Sequence, residues 1–97
     1  MVTGTLAVDV LLGDVHSLKE KRSLVRPVLA ELRRRFTVSA AEAGHLELHR
    51  RALLAVAVVG ADFGHVAQVL DACERFVSDR PELQVIEARR WLRTDED

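Results

Sequence analysis

His45 and His49 stand four residues apart, a spacing that on a helix turns two imidazoles toward one cation, with Glu42 or Glu47 close enough in sequence to add an oxygen. The segment that holds them, 44–50, is polar and turn-like with room for a helical turn, and no cysteine or carboxylate pattern completes a tetrahedron. The pair therefore reads as surface or turn-packing histidines, and neither a metal nor another cofactor is expected. His16 and His65 stand near the expected starts of helices, where a local hydrogen bond is the simpler role. Cys73 falls on an apolar stripe; a reactive thiolate needs an electropositive, partly exposed setting, so Cys73 reads as a small buried hydrophobe. Asp9 belongs to the open side of a strand, as a buried acid at an interface or as a solvated charge. There is no nucleophile elbow, phosphate-cradling glycine loop, dinucleotide fingerprint or paired-carboxylate constellation. An enzyme is not expected.

The densest charge is cationic. The net charge is −1, yet between His16 and Arg35 seven Lys/Arg (Lys19, Lys21, Arg22, Arg26, Arg33, Arg34 and Arg35) face two carboxylates, Glu20 and Glu31. Such a segment attracts a polyanion or an acidic protein surface, or it is simply the solvated face of an amphipathic helix. Against base-stacking RNA recognition stands the aromatic content: no Tyr, and only Phe36, Phe63, Phe76 and Trp91. The two strands expected at the sheet centre carry none of them, so any nucleic-acid contact is directed at the backbone. Trp91 reads as core packing, with a sheet edge or a partner interface as the alternative.

Positioning these groups requires ordered elements. Val2–Leu12 alternates with period two, as a half-buried strand does. Ser17 and Glu20 have the spacing of a capping box, followed by an apolar stripe of Leu18, Val25, Leu29, Leu32 and Phe36. Pro27 interrupts that stripe. Either the helix spans 18–36 with a kink near Ser23, or it begins at Ser23 as N-cap and leaves 14–22 as an ordered loop, with Pro27 in the first turn. Thr37–Ala43 alternates as a second strand, and Ala52–Val59 is apolar on both faces. Asp62 is placed to cap a second helix whose stripe is Val66, Val69, Leu70, Cys73, Phe76 and Val77. Leu83–Leu92 is the last strand, and 94–97 reads as a frayed acidic tail beyond a single domain, 1–93.

The order βαββαβ with right-handed crossovers folds into an α+β two-layer ferredoxin-like sandwich: a four-stranded antiparallel sheet, order 4-1-3-2, with two helices on one face. That order centres the two most apolar strands. The third strand is apolar on the open face too, which on a monomer is unusual, so a homodimer through that face is expected. No apolar run is long enough to span a bilayer and no basic leader opens the chain, so a cytoplasmic, non-membrane protein is expected.

Ser17-Leu18-Lys19-Glu20-Lys21-Arg22, then 34–42 (RRFTVSAAE), then 52–59 (ALLAVAVV), resemble in register the bacterial YlxP-like family of unknown function, from Val2 to about Leu92. The resemblance implies the ferredoxin-like fold and a gene commonly neighbouring those of a translation initiation factor and a ribosome-binding factor. It brings no catalytic residues. Lys19, Lys21 and Arg22 match the family's basic motif, whereas Gly44 and His49 stand where an acidic residue and a tryptophan are expected, so the connection holding them lends no shared function. The expectation is a non-enzymatic accessory factor of translation or ribosome maturation, touching rRNA phosphates or a ribosomal protein through Lys19, Lys21, Arg22, Arg26 and Arg33–Arg35. The rival is a structural or regulatory homodimer that binds a protein or small ligand with no nucleic-acid role.

Overall fold

In the computed structural model, which describes residues 1–95, the elements are β1 (Val2–Leu12), α1 (Leu18–Phe36), β2 (Ser39–Gly44), β3 (Arg51–Gly60), α2 (Phe63–Ser78) and β4 (Leu83–Thr94). The strands form one antiparallel sheet in the order β2-β3-β1-β4, the expected order read from its other edge. Alternate residues of the central strands (Leu6, Val8 and Val10 on β1; Ala52, Leu54 and Val56 on β3) are buried against Val25, Val28, Leu29 and Leu32 of α1 and Val66, Leu70, Cys73 and Val77 of α2 in one core. The opposite sheet face has no covering element among the described residues.

α1 begins at Leu18 with Ser17 as N-cap: Ser17 Oγ accepts from the Glu20 N–H at 3.1 Å, and Glu20 Oε2 accepts from the His16 N–H at 3.1 Å. The return bond of the box thus lands one residue earlier than the simplest capping box has it. Pro27 lies inside the helix on its exposed side, where water can take the Ser23 carbonyl that proline leaves without a donor. α2 is capped as expected, Asp62 Oδ1 accepting from the His65 N–H at 3.0 Å. β2 starts two residues later than its alternation suggests, because Thr37 is the C-cap of α1 with φ 54°. The 44–50 connection contains a turn closed by Leu48 N–H to His45 O at 3.0 Å and no helix. β4 runs to Thr94, so the first residue of the expected tail belongs to the sheet, and the Asp95 N–H bonds Met1 O at 2.9 Å. Glu96 and Asp97 of that tail lie outside the described residues.

α2 approaches β1 closely at Gly4. A Cβ there would lie 2.5 Å from Val66 Cγ1 and 2.9 Å from Leu70 Cδ1, both on fully buried side chains. Gly4→Ala should cost about 1–3 kcal/mol through overpacking. Urea unfolding checks this; an alanine variant as stable as wild type would show that α2 slides freely on β1.

Candidate functional site

The seven basic residues of the 16–35 segment have three different fates. Lys21 is buried, 2% exposed, and so is not part of a surface patch. It sits four residues before Val25 on the stripe that continues through Val28 and Leu32, which turns it into the core side of α1. Its ammonium donates to the carbonyls of His45 at 2.8 Å and Leu48 at 2.7 Å and lies 2.5 Å from Glu42 Oε2, a contact that is ionic rather than well directed as a hydrogen bond. Leu18, expected on the apolar stripe, is the more exposed of the two.

Arg33, Arg34 and Arg35 are committed nearby. The Arg33 guanidinium donates twice to the Ala40 carbonyl of β2, from Nε at 3.0 Å and Nη2 at 2.7 Å. Arg34 bonds Glu31 Oε1, and Arg35 lies 4.0 Å from Glu31 Oε2. The hydrogen bond from Arg34 lowers the Glu31 pKa, outweighing the opposite effect of burial. Arg35 also stacks 5.2 Å from the Phe36 ring and 5.3 Å from Phe76, and Arg80 covers Phe76 from 5.5 Å. The two rings meet edge to face at 5.7 Å in a cleft of about 400 Å³ between the helices.

Lys19, Arg22 and Arg26 remain. All three are exposed, and among the described residues none has a carboxylate partner. Their spacing puts them on one face of α1. They border a groove of about 550 Å³ floored by Ser23 and Pro27, and a second groove of about 530 Å³, with Glu42 of the Lys21 clamp on its wall, carries Arg22 and Arg26 on past Ala30 to Arg33. From Lys19 to Arg33 this stripe is about 21 Å long.

At the β2–β3 end of the sheet the open face holds a second polar group. Asp9 accepts from Arg51 Nη2 at 2.7 Å and lies 3.4 Å from His45 Nε2. His45, with φ 56°, is thus held from both sides of the sheet, by its carbonyl on Lys21 and by its ring on Asp9. The register shifts at Asp9/Val10 and Glu42/Gly44 fall at this same end. Asp9 is neither an orphan acid nor a free charge. Burial raises its pKa, but hydrogen bonds from Arg51 and His45, and their charge, hold it below the ordinary 3.8. A depressed carboxyl contributes stability in full above its unfolded pKa and loses it as pH falls through the lower folded value. The advantage of wild type over Asp9→Asn in thermal unfolding should therefore shrink as pH drops below about 4; a gap that stays constant on acidification would contradict the pairing.

The remaining candidates stay separate. His49 is exposed, and among the described residues no group of three or more His, Cys, Asp or Glu side chains could hold a metal ion. Cys73 is fully buried, and burial pushes its thiol up to about 11, which keeps it protonated and unreactive. Trp91, expected in the core, is instead 54% exposed on the open sheet face. No helix among the described residues is long and apolar enough to cross a membrane.

The sequence that folds this way has relatives. Over 85 residues, 87% of this chain and 92% of its relative, the sequence is 26% identical to the Uncharacterized protein YlxP of Bacillus subtilis (strain 168). The family described as Protein of unknown function (DUF503) matches residues 3–90, from β1 through most of β4. A match over nearly the whole chain shows that it belongs to the DUF503 family.

Proposed function

We propose that the chain is a non-enzymatic accessory factor of translation or ribosome maturation that binds RNA phosphates through Lys19, Arg22 and Arg26, with Arg33 at the far end of the stripe. The carrying observation is that these three cations share one exposed helix face without carboxylate partners among the described residues. A cation held by no carboxylate keeps its full attraction for phosphate, whereas Arg34 and Arg35 already share Glu31. Backbone contact suits the chain better than base reading, since β1 and β3 offer no aromatic platform. The link to translation comes from the gene neighbourhood that the YlxP-like resemblance implies, and a cytoplasmic, ferredoxin-like protein fits it. Cosedimentation of wild type and Arg22→Glu/Arg26→Glu with ribosomal subunits over a salt series tests it. Salt-sensitive binding lost in the variant supports the reading; wild type that stays in the supernatant at low salt overturns it.

A second reading, self-association through the open sheet face, is favoured by the large apolar side chains left there: Val59 is 64% exposed and Trp91 54%. It does not compete for α1, which lies on the other layer.

A further inference from the structure

The open sheet face carries a projection and a depression. Trp91 on β4 pairs across the ladder with Thr5, Thr5 with Ala57, and Ala57 with Ser39, so one row crosses all four strands from an indole to small side chains. The neighbouring row, Arg89, Ala7, Ala55 and Ala41, is small over its last three strands. Together they leave a groove of about 310 Å³ beside Trp91. Two such sheets facing one another at the usual spacing of about 10 Å would leave a void over the alanines unless a large side chain from the other sheet entered it.

The charges on this face narrow the occupant. Arg51 pairs with Asp9 at 2.7 Å, Arg89 with Glu87 at 3.1 Å and Arg93 with Asp95 at 3.2 Å. Cations and carboxylates are matched, unlike the face of α1, so the surface has no field that would draw a polyanion. A surface bearing equal numbers of both signs, one projection and one depression suits its own copy, because an isologous interface requires each patch to complement itself.

We propose that two copies pack open face to open face about a two-fold axis running along the strands, each seating its Trp91 in the groove of the other. Such an axis keeps each row at its own height and exchanges the sheet edges. β4 of one copy then lies over β2 of the other. Trp91 falls on Ser39, Ala41 and Ala57, and Glu87, whose row ends at Gly44, reaches the corner where the partner copy presents His45 and Arg51. This rests on the self-association reading of the open face and adds the register to it.

Trp91 is the sole tryptophan, so its own fluorescence reports on the seat. The test combines light scattering with acrylamide quenching on the full chain over a dilution series through micromolar concentration. Expected are a mass of two chains, an emission that shifts to the red and becomes more quenchable as the dimer dilutes apart, and a mass of one chain for both Trp91→Ala and Ala57→Lys. Ala57 is exposed, so its lysine variant should fold, as circular dichroism will verify, and in it Trp91 should be fully quenchable. A dimer whose Trp91 quenches as readily as that of the lysine variant, or a dimer that survives both substitutions, overturns the register while leaving self-association standing. A single-chain mass for wild type throughout overturns both.

Discussion

Lys21→Met will lower the unfolding free energy by about 3–5 kcal/mol, the range for removing one partner of a buried ion pair. Methionine keeps much of the length and the apolar stem, so the loss isolates the ammonium. Three groups depend on it: the carbonyls of His45 and Leu48 and the Glu42 carboxylate, whose side chain is only 18% exposed. Without Lys21 that carboxylate is left half-buried with no cation, and the 45–48 turn loses both hydrogen bonds from the ammonium. Adding Glu42→Gln should return part of the loss, since the uncompensated charge disappears while the two carbonyls still lack a donor. Hydrogen exchange should quicken in residues 45–50 in both variants. A Lys21→Met protein within 1 kcal/mol of wild type, judged against the usual small effect of surface substitutions of about 0.5 kcal/mol, would contradict the buried clamp.

The clamp also changes what the SLKEKR run means. Its second lysine, Lys21, is structural, joining α1 to the β2–β3 connection, whereas Lys19 and Arg22 point outward. A charge reversal at Lys21 would therefore test folding and not binding.

Arg22→Glu/Arg26→Glu should abolish most association with ribosomal subunits. Each phosphate contact contributes a slope of about 0.7–0.9 in log K against log salt, so losing two contacts should flatten the dependence by about 1.5. The two introduced carboxylates add repulsion, and at low salt the affinity should fall by at least about tenfold. Folding should be untouched, because both side chains are exposed and without carboxylate partners among the described residues. Arg34→Glu/Arg35→Glu serves as the comparison. Those arginines already neutralise Glu31, and Arg35 covers the Phe36 and Phe76 rings, so reversing them should weaken binding less and stability more.

Where the sequence was legible, pattern and physics agreed. β1 and β3 alternate or run apolar without interruption, and Asp62 caps α2 where its chemistry places it. α1 was ambiguous because Pro27 supports two helix starts, and only the folded chain shows its ring on the solvent side. The charge of Lys21 points to the surface, yet its position, four residues before Val25, puts it on the buried stripe. Trp91 departs from the expected core position for a different reason. Leu83 and Val85 face the core, and simple alternation would put Glu87, Arg89 and Trp91 there too. The register shift opposite Asp9/Val10 inserts Ile86 and inverts the phase, so Ala88, Arg90 and Leu92 take the helical side. Arg90 then reaches Asp71 at 2.7 Å and Glu74 at 3.1 Å on α2, and Trp91 faces outward. A one-residue bulge leaves no signature in residue types; the Asp9–Arg51–His45 group beside it is equally invisible, because Asp9 lies 36 residues from His45 and 42 from Arg51.

The most direct test of phosphate binding by α1 is the salt dependence of wild-type association with ribosomal subunits. Three to four cations on phosphates predict a slope of log K against log salt of about −2 to −4, reduced in Arg22→Glu/Arg26→Glu. A flat dependence, or the same slope in both proteins, would contradict it.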